Sequence, residues 1–74
     1  MAESVVDARG HRCPVPTLRL QRALEGLNSG EVVKLLADDP MARIDVPHFA
    51  SEAGHEVLEA LEEAGGLSFR VRKR

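Results

Sequence analysis

The stretch HEVLEALEEAGGLSFRVR, residues 55–72, decides the fold of this chain. Its second half, LSFRVR, alternates apolar and polar side chains, as a half-buried strand does. Its first half, HEVLEALEEA, contains strong helix formers, so propensity alone indicates a helix. The same residues also alternate, with Val57, Glu59 and Leu61 on one side, which fits a strand. The two interpretations differ in the number of strands in the sheet.

A glycine pair between the two halves favours the strand. Gly65-Gly66 has the turn chemistry of a tight hairpin. A final strand needs a neighbour, and a hairpin supplies one with the shortest connection. We therefore predict strands over residues 56–63 and 67–72, joined by a turn at this glycine pair.

The preceding residues predict two helices alternating with two strands. Residues 4–8 and 31–37 are short apolar runs bounded by turn residues. Residues 16–27 carry apolar side chains at helical spacing, and residues 40–53 do the same. Pro47 removes one hydrogen bond from the second helix, so we expect a kink or a restart there.

The resulting order is β-α-β-α-β-β. It predicts an α/β protein, a two-layer α/β sandwich in which a four-stranded mixed sheet carries two helices on one face. With 74 residues the chain is expected to form a single domain, residues 1–74.

The amino-acid composition argues against several classes of function. The net charge of −2 and the absence of Trp and Tyr argue against nucleic-acid binding. We interpret Arg70, Arg72, Lys73 and Arg74 as the solvated face and frayed end of the last strand rather than as an RNA contact. No apolar run approaches the length of a membrane span, and the single cysteine excludes an internal disulfide, so we expect a cytoplasmic protein.

The single cysteine lies in RCPVPT, residues 12–17, between the first strand and the first helix. A helix N-terminus favours a thiolate, which is the nucleophilic form. Pro14 and Pro16 lack an N–H, so we expect the Cys13 sulfur to receive few hydrogen bonds and to project outward as a reactive thiolate. A buried structural cysteine is the competing interpretation.

Several charged or titratable residues lie near the cysteine in the sequence. Arg12 is adjacent to the cysteine, and three further arginines are candidates for steering an acidic partner. These three are Arg9, Arg19 and Arg22. His11, two residues from Cys13, is a candidate base toward the thiol, but the helix charge and the arginines already activate the thiol without it. Neither His48 nor His55 has metal-ligand spacing to Cys13, so no metal site is expected.

Two aspartates follow the second predicted strand. Asp39-Pro40 is typical of a helix start, with an N-cap residue followed by proline at the first helical position. Asp38 and Asp39 also suit an acid/base pair, but strand-end and capping roles explain them better. Whether this loop assists chemistry at Cys13 stays open at this point.

Residues 7–16, DARGHRCPVP, resemble the D-x-x-G-x-x-C-P-x-P signature of the TusA (SirA-like) sulfur-carrier family. Within it, Gly10, Arg12, Pro14 and Pro16 support the cysteine. Further similarity lies in ADDP at 37–40, DVP at 45–47 and the closing FRVRK. Val15 departs from the better-known tRNA-thiolation members, which carry Glu between the prolines.

The resemblance implies a sulfurtransferase or persulfide relay protein that carries sulfane sulfur on Cys13 and needs no cofactor. It implies a donor of the cysteine desulfurase or rhodanese type and an acceptor of the DsrE type. The pathway would be tRNA thiolation, cofactor biosynthesis or sulfur metabolism. The implied fold is the same sandwich, with residues 56–63 as a strand. The alternative function is a non-enzymatic interaction or regulatory module of this fold, and a small RNA-binding domain is a third hypothesis.

Overall fold

The computed structural model describes residues 3–74, and its elements follow the predicted order β-α-β-α-β-β. The four strands are β1 (Ser4–Asp7), β2 (Val32–Ala37), β3 (Glu56–Glu63) and β4 (Gly66–Arg72). The two helices are α1 (Val15–Glu25) and α2 (Ala42–Ala53). Within the described residues, neither helix is long and apolar enough to cross a bilayer.

The strands form one mixed sheet in the order β1-β2-β4-β3. β1 and β2 are parallel, whereas β4 runs antiparallel to both of its neighbours. Alternate residues of the central strand β2 are fully buried under the helices, namely Val33, Leu35 and Ala37. The predicted two-layer sandwich with two helices on one face is confirmed.

The core lies between the sheet and the apolar stripes of the helices. Leu20 and Leu24 of α1 and Val46 of α2 are buried, and they pack with Phe69 and other strand residues in one cluster. Burial of this kind stabilises the fold by roughly 25 cal/mol per Å² of apolar surface removed from water. Both helices are thereby fixed against the sheet, which fixes the loops at their N-termini.

The hairpin is confirmed, but its turn lies one residue earlier than predicted. Glu63 pairs with Gly66, so the two turn residues are Ala64 and Gly65. Both have positive φ, 50° and 78°, as a type I′ turn requires. Gly66 is the first residue of β4 rather than part of the turn.

A bulge in β3 changes the predicted alternation. Val57 pairs with buried Val71, and the register then shifts, so Glu59 pairs with Arg70. Val57 therefore faces the core, whereas Glu59 and Leu61 face the opposite side of the sheet. The prediction that these three side chains share one face is wrong, because Leu58 is the extra residue of the bulge.

The second helix runs unbroken through Pro47, so no restart occurs there. The proline removes only the donor to the Arg43 carbonyl. Buried Ala42, Val46 and Ala50 hold the remaining turns against the sheet. Gly54 ends the helix with φ of 81°, in the left-handed conformation that glycine adopts without strain.

The C-terminal residues are not a frayed end. The Lys73 amide donates to the Glu31 carbonyl at 2.7 Å, and its ammonium donates to the Leu24 carbonyl near the end of α1 at 2.9 Å. The Arg74 amide donates to Nδ1 of His55 at 3.1 Å. We name these contacts of Lys73 and Arg74 the C-terminal clasp, and they correct the prediction of a solvated tail.

Candidate functional site

Cys13 lies immediately before the first helix. Pro14 is the N-cap residue of α1, and the helix begins at Val15. The turn is closed by a hydrogen bond from the Val15 amide to the Arg12 carbonyl at 2.9 Å, and Gly10 provides the positive φ of 86° that starts the loop. Cys13 therefore lies in a loop at the start of a helix, as the sequence predicts.

Two aspartates hold the cysteine loop against the loop that follows β2. Both carboxylate oxygens of Asp38 accept from the Gly10 amide, each at 3.0 Å. One oxygen of Asp39 accepts from the Cys13 amide at 2.8 Å. The Asp38-Asp39 pair thus fixes the backbone on which the thiol stands, a role that the sequence analysis left open.

Asp39 does not cap the second helix as predicted. The N-cap residue of α2 is Met41, and no side chain caps it. The second oxygen of Asp39 accepts from the Met41 amide at 2.9 Å, so this carboxylate bridges two loops. The helix begins later because Ala42 first bonds to the Asp39 carbonyl in a tighter turn.

The Cys13 side chain is half-buried and packs against the core cluster. Burial raises the pKa of the thiol to about 11, and the Asp45 and Asp39 carboxylates act in the same direction. A thiol with this pKa is protonated near neutral pH. The prediction of an outward-projecting thiolate is therefore wrong for the resting protein, because burial against the core favours the neutral thiol. The prediction of few hydrogen bonds to the sulfur agrees with the structure, in which the described residues make none to it.

Asp45 is the residue at this site that the sequence analysis missed. Its only signal was membership of the DVP segment, which carries no chemical pattern of its own. The residue is brought to Cys13 because α1 and α2 pack side by side on the sheet. Such a pairing across 32 positions depends on tertiary packing, which residue spacing does not reveal.

The candidate docking arginines differ in their surroundings. Arg9 forms a two-pronged ion pair with Asp7, at 2.8 and 2.9 Å. The side-chain hydrogen bond from Arg9 is the main reason that the pKa of Asp7 lies below its usual range. Arg19 donates to the Asp7 carbonyl at 2.7 Å. Among the described residues, Arg12 and Arg22 are exposed and take part in no ion pair.

An open cavity of about 470 Å³ lies beside the cysteine loop. It is lined by Gly10, His11, Arg12, Asp38, Asp39 and Pro40. The cavity is a polar recess between the two loops that the aspartates join. His11 and Arg12 therefore face this recess beside the cysteine loop, whereas His55 is engaged in the C-terminal clasp.

Exposed apolar side chains lie at the N-terminal ends of both helices, near the cysteine loop. Val15 and Leu18 lie on the first turns of α1, and Met41 and Ile44 lie at the start of α2. Their exposed fractions range from 37% for Val15 to 64% for Ile44, which is high for large apolar side chains. We name these four residues the apolar rim.

The fold and the site together define a class of protein, a small two-layer α/β sandwich that presents one cysteine at the start of its first helix. The chain belongs to the TusA family of sulfurtransferases, whose family model, Sulfurtransferase TusA, matches residues 4–73.

Curated relatives agree with this assignment. The chain is 38% identical over 72 residues to the sulfur carrier protein TusA of Pseudomonas putida strain GB-1, an alignment that covers 97% of this chain and 90% of that protein. It is also 38% identical to the TusA protein of Pseudomonas aeruginosa strain PAO1, with 97% and 91% covered.

A solved structure shares the fold. The crystal structure of a SirA-like protein from Desulfitobacterium hafniense matches with a TM-score of 0.82 and 29% sequence identity, and 96% of each chain is covered.

Proposed function

We propose that this sulfur-carrier protein holds sulfane sulfur as a persulfide on Cys13 and passes it to a partner protein. The observation that carries the proposal is a single cysteine, partly accessible and at the start of α1, in a member of the TusA family. One cysteine suffices, since sulfane transfer consumes no second thiol of the carrier. The C-P-x-P motif supports it by anchoring the loop, with Pro16 fully buried.

The chemistry is an exchange between sulfur atoms. The Cys13 sulfur attacks the outer sulfur of a donor persulfide, a new S–S bond forms, and the donor leaves as a thiol. A partner thiolate then attacks the outer sulfur of the Cys13 persulfide and restores the Cys13 thiol. No net oxidation or reduction occurs, so no cofactor takes part in the proposed cycle.

Two protein partners follow from this cycle. The donor is a protein persulfide, as a cysteine desulfurase or a rhodanese-like protein provides. The acceptor is a protein with an accessible cysteine, such as a DsrE-like protein. A reducing cytoplasm is the proposed location, because a lone thiol persists there without forming a disulfide.

Intact-mass spectrometry tests the proposal. Wild-type protein incubated with a cysteine desulfurase and cysteine should gain the mass of one sulfur atom, which a reductant removes. The Cys13→Ser variant should keep its far-UV circular dichroism spectrum and gain no sulfur. Sulfur uptake by the serine variant, or none by the wild type from either this donor or inorganic polysulfide, would refute it.

A second candidate function is the non-enzymatic interaction module. The apolar rim favours it, because exposed apolar side chains of this size often form contacts with other proteins. A pull-down whose partners are the same for wild type and Cys13→Ser, together with no sulfur uptake, would favour this alternative.

A further inference from the structure

Thr17, in the first turn of α1, carries a buried hydroxyl without a hydrogen-bond partner. The hydroxyl oxygen is shielded from solvent, and no partner for it is found among the described residues. Buried hydroxyls are nearly always hydrogen-bonded, because burial removes the water that would otherwise bond them. An unpaired hydroxyl in the resting protein points to a ligand that is bound in another state of the cycle proposed above.

The start of the helix explains why this hydroxyl is unpaired. Pro14 is the N-cap residue of α1, so Thr17 is the third residue of the helix. A polar side chain at this position can bond back to the amide of the N-cap residue, and side chains of a helix lean toward its N-terminus. Proline has no N–H, so the hydroxyl leans toward the Cys13-Pro14 segment and has no amide to bond there.

The amide of Thr17 is the free backbone donor of the same turn. The Val15 amide donates to the Arg12 carbonyl, and the Leu18 amide donates to the Pro14 carbonyl, both at 2.9 Å. The prolines of the turn have no N–H. Within the described part of the chain, no carbonyl accepts from the Thr17 amide. The start of α1 therefore offers two unpaired donors on one residue, at the end of a helix that favours an anion.

Cys13 and Thr17 lie on the same side of the helix start. They are four positions apart, and the buried Leu20 and Leu24 continue this stripe at helical spacing. The cysteine is half-buried against the core cluster, and Thr17 is half-buried as well. The unpaired donors are therefore on the side of α1 from which the cysteine side chain extends.

A persulfide on Cys13 differs from the thiol in two respects. Its outer sulfur lies about 2 Å beyond the first, the length of an S–S bond. A persulfide is also more acidic than a thiol, so its outer sulfur carries a negative charge more readily. A charged acceptor in a partly buried site is stable only when donors bond it.

The charged side chains around the cysteine loop do not supply these donors. Asp39, after β2, and Asp45, on α2, are carboxylates that oppose a negative charge on Cys13. Arg12 acts on Asp39, and His11 lines the recess beside the loop. Thr17 is the residue that combines unpaired donors with a position on the cysteine side of α1.

We propose that the hydroxyl and the amide of Thr17 bind the outer sulfur of the Cys13 persulfide and hold the carried sulfur as an anion between loading and transfer. This inference rests on the proposed function and identifies the group that retains its cargo. The persulfide releases its proton to water, and the two donors of Thr17 bond the outer sulfur. For transfer the persulfide regains a proton from water, a partner thiolate attacks the outer sulfur, and Cys13 leaves as the thiol.

Thr17 has opposite effects in the two states of the protein. In the resting state its unpaired hydroxyl is destabilising, whereas in the loaded state it stabilises the anion. Valine has the shape of threonine without the hydroxyl and a similar helix propensity. Thr17→Val should therefore unfold at a higher urea concentration than wild type when unloaded, and it should bind the persulfide anion less well.

The test titrates the persulfide in wild type and in Thr17→Val. Both proteins are loaded with inorganic polysulfide, freed of excess reagent and followed by the ultraviolet absorbance of the persulfide anion as pH is varied. At the pH where half of the wild-type persulfide is ionised, the ratio of anion to neutral persulfide should be about tenfold lower in Thr17→Val. Urea unfolding of the unloaded proteins gives the second readout.

Three further variants complete the experiment. Thr17→Ala also lacks the hydroxyl and should reproduce the titration of the valine variant, even if valine is poorly accommodated. Thr17→Ser retains the hydroxyl and should titrate close to wild type. Ser68→Ala removes the hydroxyl of a buried serine in β4, on the open face of the sheet, and should leave the titration unchanged.

The outcomes separate the two proposals. The same titration in wild type, Thr17→Val and Thr17→Ala would overturn the role of Thr17, and so would a Thr17→Ser titration that matches the valine variant. A loss of stability in unloaded Thr17→Val would show that the hydroxyl is already bonded in the resting protein, which also contradicts the inference. Absence of sulfur uptake by wild type would instead overturn the proposed function and, with it, this inference.

Discussion

At the scale of single residues, Asp39 connects the cysteine loop to the start of α2. Its two oxygens accept from the amides of Cys13 and Met41, at 2.8 and 2.9 Å. Asparagine has one acceptor oxygen, so Asp39→Asn leaves one amide without its partner. We expect this variant to unfold at a lower urea concentration and to take up sulfur from polysulfide more slowly than wild type, as measured by circular dichroism and mass spectrometry.

The neighbouring aspartate provides a matched control. Both oxygens of Asp38 accept from the single amide of Gly10, so Asp38→Asn retains an acceptor for it. This variant should stay close to wild type in both measurements. Equal losses in the two variants would mean that negative charge in general, rather than the bridge made by Asp39, supports the loop.

The Asp39 bridge also has a pH signature. Hydrogen bonds from the Met41 and Cys13 amides lower the pKa of Asp39 in the folded protein. Its contribution to stability is therefore complete above the unfolded pKa of about 4 and is lost as pH falls through the lower folded value. Acid titration of Asp39→Asn, followed by urea unfolding at each pH, should show less loss of stability in this range than wild type shows.

Ala64 adopts a backbone conformation that is strained for alanine. Its φ of 50° lies in the left-handed region, which asparagine and glycine adopt with less strain than alanine. Ala64→Asn should raise the free energy of unfolding by roughly 1 kcal/mol in urea titration.

Gly65 supplies the opposite control in the same turn. Its φ is 78°, and an added Cβ would meet no atom within 4 Å, so Gly65→Ala tests backbone strain alone. We expect this variant to be less stable than wild type. Stabilisation by both substitutions would contradict the type I′ turn.

Some properties of single residues could be predicted from the sequence, and others could not. Cys13 could be recognised from the sequence because the effects of proline and of a helix start depend only on neighbouring residues. The structure places Cys13 at a helix start, as predicted. Its pKa direction was predicted wrongly, because burial against the core raises the pKa of the thiol and the Asp45 and Asp39 carboxylates act in the same direction; both effects depend on tertiary packing. The predicted turn lies one residue too late in the sequence, because the residues around the glycine pair are compatible with either strand register. In the structure Glu63 pairs with Gly66, which defines the register.

At the scale of elements, the C-terminal clasp ties β4 to both helices. His55 follows α2 and accepts from the Arg74 amide, while Lys73 donates to the last turn of α1. Burial lowers the pKa of His55, and the charges of Lys73 and Arg74 add to that effect. The histidine therefore accepts the hydrogen bond in its neutral form.

The clasp should weaken in mild acid. Because the folded pKa of His55 lies below its unfolded value, its stabilising effect is complete above about pH 6.5 and is lost as pH falls through the folded value. His55→Asn keeps an acceptor that does not titrate, so its stability should change less between about pH 7 and pH 5. Thermal unfolding across this range measures the difference.

His48 is the control for the clasp, since its side chain is 74% exposed on α2 and lies outside the clasp. His48→Asn should retain the pH dependence of wild type. A wild-type profile in His55→Asn would show that another group causes the acid sensitivity. The elements themselves were predictable because hydrophobic periodicity is local, but the clasp joins positions 49 residues apart in the chain.

At the scale of the whole molecule, the two faces of the sandwich carry different surfaces. The open face of the sheet is crossed by ion pairs, between Glu3 and Arg70 and between Glu56 and Arg72. The end that holds Cys13 carries the apolar rim instead. Since the thiol is half-buried, we predict that a protein donor contacts this rim when it brings its sulfur to the cysteine.

Substitution in the rim should separate docking from chemistry. Leu18→Glu and Ile44→Glu place a charge where a donor protein packs, so kcat/KM for sulfur transfer from a cysteine desulfurase should fall by roughly tenfold, mainly through KM. Uptake from inorganic polysulfide should stay at the wild-type rate, because that donor needs no docking surface.

Val5→Glu is the matched control, since Val5 is 61% exposed on the open face of the sheet. A loss in the Val5 variant equal to that in the rim variants, or a parallel loss with polysulfide, would mean that the donor does not dock on the rim.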